Sequence, residues 1–124
     1  MTRPSKYGAK RTEFRGRSFA SGLEARLFGQ LKLLEAAGEV REVRQQVSVW
    51  LTEARIEYKA DFSAFDVKRG ETYWLESKGF RTPEFNLKLR LYRHYGPGRL
   101  EIWEDGGRGR LRLKETVIPR SSNA

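Results

Sequence analysis

Leucine and other hydrophobic residues recur every three or four positions in two segments of the chain, which predicts two amphipathic helices. The first segment runs from Ser21 to Gly38, with Ser21 at the N-cap position and Gly38 as the residue that ends the helix. Glu24 follows Ser21 by three residues, so the two form an S-x-x-E capping box. The second segment, residues 82–96, opens with a threonine N-cap followed by proline and runs into a Gly-Pro-Gly turn.

Strict alternation of apolar and polar residues predicts the strands. Three strands follow one another between the helices and two follow the second helix, in the segments 46–51, 55–65, 72–78, 99–104 and 110–118. The predicted order is therefore α–β–β–β–α–β with an additional C-terminal strand. Because successive strands usually form a meander and a crossover helix makes the next strand parallel, we expect an α/β (α+β) fold with a mixed central sheet.

Two carboxylates and a lysine fall on one face of the second and third predicted strands. A six-residue connection, residues 66–71, places Asp61 directly opposite Glu76, with Lys78 two residues further along the same face. Carboxylates opposed across a sheet repel each other unless a cation or a shared proton lies between them. Mg²⁺ takes one or two carboxylates with water and phosphate oxygens, and a nearby lysine suits the charge that develops on a phosphate. The alternative is a solvated sheet face on which lysines neutralise the acids.

The net charge of +9 gives these carboxylates a strongly basic setting. Arginine outnumbers lysine by 17 to 8, and arginine suits two-point contacts with phosphate, so the charge predicts a nucleic-acid partner. Residues 1–17 lack a helical or strand period, so we expect a flexible basic arm there. A single domain over 18–118 and a frayed tail over 119–124 are expected to follow. The predicted DNA-binding residues are Lys6, Lys10, Arg11, Arg15, Arg17, Arg81 and Lys88, and Arg90 and Arg93 are further candidates on the second helix.

Several classes of site are excluded by composition. The chain has no cysteine and one histidine, so it can form no disulfide, no cysteine-based zinc or catalytic site and no histidine-cluster metal site. No apolar run approaches the ~20 residues that span a membrane, and no apolar stretch typical of a secretory signal follows the basic start. We therefore expect no membrane partner and a cytoplasmic location.

The two acidic strands also carry a resemblance to a known superfamily. Ala60-Asp61, fourteen intervening residues and Glu76-Ser77-Lys78 resemble the PD-(D/E)xK signature of restriction-endonuclease-like proteins, with alanine in place of the proline. A longer pattern is similar to small phage-encoded members, with "FxSxxEAxxxxxL" from Phe19, "QVxxxL" from Gln46, then "YxADF" and "ExKG". Each motif alone occurs by chance in many chains, whereas their order and spacing over residues 7–96 are more specific.

The resemblance implies a role for each matching residue. It implies catalytic roles for Glu24, Gln46, Asp61, Glu76 and Lys78, and metal ligation by Asp61, Glu76, Glu24 and the carbonyl of Ser77. The implied cofactor is Mg²⁺, for which Mn²⁺ can substitute. Glu24 has the capping box as its alternative explanation, and Gln46 has hydrogen bonding at a strand edge.

The activity that the resemblance implies is that of an endodeoxyribonuclease, in which metal-activated water leaves a 3′-hydroxyl and a 5′-phosphate. Related phage members include Holliday-junction resolvases of DNA recombination, so we expect a four-way junction as the substrate and the cytoplasm of a phage-infected bacterium as the location. A junction needs two symmetric cuts, which predicts a homodimer. The alternatives are an endonuclease that acts on flaps, nicks or plain duplex DNA, and a basic nucleic-acid-binding module without catalysis.

Overall fold

The computed structural model describes residues 11–123 of the chain. In chain order its elements are β1 (Thr12–Phe14), β2 (Arg17–Phe19), α1 (Gly22–Ala36), β3 (Val40–Leu51), β4 (Ile56–Asp66), β5 (Glu71–Ser77), α2 (Pro83–Tyr95), β6 (Leu100–Gly107), β7 (Arg110–Val117) and a 3-10 turn (Arg120–Asn123). Both helices and the last five strands were predicted, although β3 begins six residues earlier than its pattern indicated. Neither helix in this part of the chain is long and apolar enough to cross a membrane.

Strands β3 to β7 form one five-stranded sheet in the order of the sequence. β3, β4 and β5 are an antiparallel meander, β5 and β6 run parallel, and β7 returns antiparallel to β6. β5 and β6 are parallel because α2, which connects them, returns the chain to the end of the sheet at which β5 begins. The predicted α/β (α+β) fold with a mixed sheet and an additional C-terminal strand is therefore confirmed.

The two helices cover opposite faces of this sheet. α1 packs through Leu27 and Leu31 against a cluster that includes Leu75 of β5. α2 packs through Leu89 and Tyr92 against the other cluster, which Trp74, the residue before Leu75 in β5, also contacts. Because neighbouring residues of a strand point to opposite faces, Trp74 and Leu75 fix the side on which each helix lies. The sheet is thus covered on both faces, and α1 and α2 approach it from opposite directions.

β4 changes its packing partners halfway along its length. Tyr58 and Ala60 belong to the cluster under α2, whereas Phe62 and Ala64 belong to the cluster under α1. The sequence pattern predicted all four on one apolar face, which is wrong. The change occurs around Asp61, where the β3–β4 ladder lacks a paired position between Ala60 and Phe62. The irregular position therefore lies next to the predicted metal ligand.

The described part of the predicted basic arm is a β-hairpin. β1 and β2 pair antiparallel, and the turn between them places both Arg15 and Gly16 at positive φ, 52° and 75°. Two successive positive φ angles are the property of the tight hairpin turns that match strand twist. Phe19, at the end of β2, is buried in the cluster under α1. Residues 12–14 and 17 of the predicted arm therefore lie in strands, which the sequence pattern did not indicate, while the flexibility of the arm stays a prediction.

The predicted frayed tail also differs from the structure. Pro119 is among the fully buried side chains, and the hydroxyl of Ser121 donates a hydrogen bond to the carbonyl of Gly96 at the end of α2. A Cβ on Gly96 would lie 2.5 Å from the ring of Tyr92, so this close approach requires glycine. The segment after β7 is therefore packed against α2.

Candidate functional site

Asp61 and Glu76 face each other where β4 and β5 separate. The β4–β5 ladder ends at the pair of Phe62 and Leu75, and the same register places the next residues, Asp61 and Glu76, opposite each other as predicted. Beyond that point the side chain of Asp61 takes the place of a ladder contact. Its Oδ2 accepts hydrogen bonds from the N–H and from the hydroxyl of Ser77, each 2.8 Å long. The carboxylate therefore bridges the separating strands.

Glu76 is a buried carboxylate, with 4% of its surface exposed. Its Oε1 accepts a hydrogen bond from the hydroxyl of Tyr58, and its Oε2 lies 3.5 Å from Nζ of Lys78. Burial and then the charge of Asp61 raise the pKa of Glu76 well above its usual range, although Lys78 and Tyr58 act in the opposite direction. The fold thus holds an acid in a position where ionisation is unfavourable without a cation.

Glu24 joins these two acids from the start of α1. The hydroxyl of Ser21 accepts from the N–H of Glu24 at 3.1 Å, and Oε2 of Glu24 accepts from the N–H of Ala20 at 2.7 Å. Its Oε1 accepts from the side-chain amide of Gln46 at 2.8 Å. Burial and then the charge of Asp61 raise the pKa of Glu24 to about 7, against these hydrogen bonds to Ala20 and Gln46. Glu24 is therefore a helix cap and an electrostatic neighbour of Asp61 at once.

Gln46 links α1 to the sheet from an unusual backbone conformation. It has a φ of 56° inside β3, between the paired positions Gln45 and Val47. A residue with a Cβ rarely adopts this left-handed conformation, which costs roughly 1–3 kcal/mol. The result is that a residue in an exposed strand directs its amide to Glu24. The alternative explanation of Gln46 was hydrogen bonding at a strand edge. It does not explain why the side chain contacts Glu24 of α1.

Lys78 follows the end of β5 and is half-buried beside α2. Its N–H donates to the carbonyl of Trp103 at 2.9 Å, which anchors its backbone to β6. Its Nζ lies 4.4 Å from the ring centre of Phe85, and the guanidinium of Arg81 lies 5.8 Å from the same ring. Two cations therefore converge near the start of α2, beside the pair of Glu76 and Asp61.

The oxygen donors of these acids suit a hard divalent cation. No group of three or more acidic or histidine side chains among residues 11–123 is arranged to hold a metal ion as the side chains stand. In this arrangement Ser77 binds Asp61, while Tyr58 and Lys78 bind Glu76. Mg²⁺ needs only one or two carboxylates, and Asp61 and Glu76 supply two whose repulsion a cation would relieve. The donor chemistry of Asp61 and Glu76 therefore fits Mg²⁺, and direct ligation by Glu24 stays a prediction.

Ser77 makes contacts with Asp61 that the prediction did not include. Its N–H and hydroxyl both bind Asp61, so its part in this structure is to orient a carboxylate. Metal ligation by its carbonyl stays a prediction. Among the site residues, reasoning from the sequence missed Tyr58, because strand alternation placed it on the apolar face. A tyrosine three residues before the aspartate was the available signal, since a buried hydroxyl needs a hydrogen-bond partner.

Three arginines of the N-terminal DNA-binding prediction, Arg11, Arg15 and Arg17, lie on or beside the hairpin. Lys6 and Lys10 fall outside the described residues. Arg11 donates to the hydroxyl of Ser18 at 2.8 Å, and Arg15 lies over the ring of Phe14 at 5.4 Å. Arg17 lies over the ring of Phe28 at 5.1 Å. All three arginines are exposed, and none of them pairs with a carboxylate of residues 11–123.

The other two predicted DNA contacts lie on the α2 side. Arg81 pairs with Glu115 of β7 at 3.2 Å, and Lys88 pairs with Glu84 one helical turn earlier at 3.3 Å. Both ion pairs are partly exposed, so each contributes at most about 1 kcal/mol and leaves the cation able to exchange its partner for a phosphate. Contact with DNA stays a prediction for all of these residues.

The family of the chain is shown by comparison with known proteins. Residues 4–103 match a family model described as "Protein of unknown function (DUF1064)". The match spans Glu24, Gln46, Asp61, Glu76 and Lys78. No curated protein and no solved structure matches the chain. The chain therefore belongs to the DUF1064 family.

Proposed function

We propose that the protein is a Mg²⁺-dependent endodeoxyribonuclease. The observation that supports this most strongly is the convergence of Glu24, Asp61 and Glu76 from three different elements, with Lys78 beside them. Burial and mutual repulsion raise the pKa values of Glu24 and Glu76, so the acids destabilise the metal-free fold. Perturbed acids gathered at one place in a protein of net charge +9 are typical of a reactive site.

Each residue has a chemical task in this proposal. Bound Mg²⁺, held by Asp61 and Glu76, would polarise the phosphate and lower the pKa of a water molecule. Lys78 offers its ammonium to the charge that develops on the phosphate oxygens. Glu24, with a pKa of about 7, is suited to take a proton from the attacking water near neutral pH. The water oxygen bonds to phosphorus, the P–O3′ bond breaks, and the leaving 3′-oxygen takes a proton from solvent water.

Tyr58 orients Glu76 in this scheme. Its hydroxyl donates to one carboxylate oxygen, and the rings of Phe85 and Tyr92 pack against its own ring with centres 6.4 Å and 5.8 Å away. A ring fixed on two sides holds its hydroxyl in one position. Partners of this kind commonly change metal affinity or activity about 10–100-fold when removed.

The proposed substrate is DNA, and within it a branched form such as a four-way junction. The charge of +9 and the excess of arginine favour a phosphate backbone. The described part of the chain forms a five-stranded sheet with two helices and a short hairpin, and these elements include no separate module for reading bases. Recognition of backbone and shape fits this architecture, and a C₂ homodimer would present two sites to the two strands of a junction.

The test of the proposed function is a cleavage assay with end-labelled DNA. The substrates are a four-way junction, a flap, a nicked duplex, a linear duplex and a single strand, each with Mg²⁺ or with EDTA. We expect Mg²⁺-dependent cleavage of the junction, and a loss of about 100-fold or more in Asp61→Asn and Glu76→Gln. Exposed Glu53, which forms no ion pair within residues 11–123, provides the matched control Glu53→Gln. Absence of metal-dependent cleavage on all five substrates would refute the enzyme, and equal cleavage of linear duplex would refute the junction preference alone.

A further inference from the structure

A groove with basic sides lies along the C-terminal half of α2. It has a volume of about 490 Å³ and is formed between α2 and the segment after β7. Apolar side chains and arginines make up most of its lining, namely Leu87, Leu91, Ile118, Arg90, Arg93 and Arg120. Among residues 11–123, its lining also contains a histidine and has no carboxylate. Ser121 fixes the far wall, because its hydroxyl donates to the carbonyl of Gly96.

Two of the groove's cations have no counter-charge within the described part of the chain. Arg93 pairs with Glu115 at 2.6 Å, whereas Arg90 and Arg120 form no ion pair among residues 11–123. Cations at the end of a helix are favourable through the helix dipole, which accounts for Arg93 and in part for Arg90. The dipole does not account for Arg120, which lies outside the helix and completes the groove from the opposite side.

The groove is connected to the acidic site by a line of cations along α2. Lys78 and Arg81 both lie against Phe85 in the first turn of α2. Glu115 binds Arg81 through one oxygen and Arg93 through the other. Phe85 and Arg93 are eight residues apart in one helix, which is ~12 Å along its axis. That distance corresponds to about three to four base pairs of duplex.

We propose that this groove binds the phosphate backbone of the DNA substrate about three to four base pairs from the cleaved phosphate. Arg90 and Arg120 contact the phosphates, and the apolar floor of Leu87 and Ile118 packs against the sugars. The inference rests on the proposed function for its ligand. A second copy of this chain is a poorer occupant, because symmetric pairing would bring the unpaired Arg90 and Arg120 of both copies together.

The test measures DNA binding separately from cleavage. A fluorescein-labelled four-way junction and a labelled 30-bp duplex are titrated in EDTA over a series of salt concentrations, with anisotropy as the readout. For Arg90→Ala/Arg120→Ala we expect a Kd raised about 10-fold and a log Kd–log salt slope lowered by about 2, because two phosphate contacts are lost. The charge reversal Arg90→Glu/Arg120→Glu is expected to weaken binding further. Circular dichroism confirms folding of both exposed-site variants.

The matched control is Arg110→Ala/Lys114→Ala on β7. These residues are exposed, form no ion pair within residues 11–123 and do not line the groove. We expect a change below about 3-fold and an unchanged salt slope, because only the net charge falls.

Three results would overturn the inference: equal slopes in the groove variant and the control, absence of DNA binding by the wild type, or conversion of a dimer to a monomer by the groove substitutions. The wild type could bind DNA in a salt-dependent way, lose that binding on the groove substitutions, and cleave no substrate. That result would overturn the proposed function and support DNA binding by the groove. Normal DNA binding and normal cleavage by the groove variant would overturn the groove inference and support the proposed function.

Discussion

Replacing Glu24 by glutamine is expected to stabilise the metal-free protein above neutral pH. Glu24 is 2% exposed, and burial together with the charge of Asp61 raises its pKa to about 7. The unfolded chain has the ordinary value of 4.5, so the folded state binds the proton more tightly. The favourable contribution is therefore complete below pH 4.5 and is lost as the pH rises through 7. A shift of this size corresponds to about 3 kcal/mol of unfolding free energy.

Urea denaturation in EDTA at pH 4.5 and pH 8 measures this effect. The free energy of unfolding of Glu24→Gln minus that of the wild type is expected to rise by about 3 kcal/mol between the two pH values. Glutamine keeps an oxygen for the N–H of Ala20, so the helix cap is retained. The exposed control Glu53→Gln is expected to show no such rise.

The opposite sign would refute this reasoning. A glutamate that served only as a cap would be stabilised in its ionised form by the positive end of the helix dipole. Its replacement would then destabilise the protein more at pH 8 than at pH 4.5. A pH-independent difference would equally show that Glu24 is not forced close to Asp61.

Other substitutions test separate parts of the structure. Tyr58→Phe removes the hydroxyl that binds Glu76, so we expect Mg²⁺ affinity in calorimetry to fall about 10-fold, and unchanged affinity would contradict the orienting role. Gly96→Ala places a Cβ 2.5 Å from the ring of Tyr92, so we expect a loss of about 1–3 kcal/mol in urea denaturation, and wild-type stability would contradict the close contact. Arg99→Met removes a buried cation from three carboxylates, two of which keep only Arg69 at 4.0 Å, so we expect a loss of about 3 kcal/mol at pH 7, and a neutral effect would contradict the role of this ion-pair cluster.

The register that opposes Asp61 and Glu76 was predictable because local rules determine it. The connection over residues 66–71 has an even length, and alternation on both sides specifies which residues face each other. The capping box at Ser21 and the stop at Gly38, with its φ of 78°, follow from equally local preferences. These features depend on the nearest few residues, which is why the pattern of the sequence is sufficient for them.

The contact between Tyr58 and Glu76 depends on the tertiary structure and was missed. It requires β4 to change faces near Asp61, and that change accompanies the left-handed conformation of Gln46 on another strand. No local preference of glutamine predicts this conformation. Its amide contact with Glu24 forms only when β3 lies beside the start of α1, twenty-two residues away in sequence.

The N-terminal hairpin was missed because its turn is unusual. Tight hairpin turns with two positive φ angles favour asparagine or aspartate before glycine, whereas this chain has Arg15 before Gly16. With strands of only three residues on each side, alternation gave no additional signal. Burial of Phe19 under α1 holds the hairpin in place, and such packing depends on the completed core.

The most direct test of the central claim compares the wild type with Asp61→Asn on one end-labelled four-way junction, with Mg²⁺ or EDTA. Asp61 is the acid whose charge perturbs both Glu24 and Glu76, so its loss should disable the site while removing the repulsion. We expect strand breaks with 3′-hydroxyl and 5′-phosphate ends from the wild type in Mg²⁺ and none in EDTA. Intact DNA in that reaction, or equal cleavage by Asp61→Asn, would contradict it.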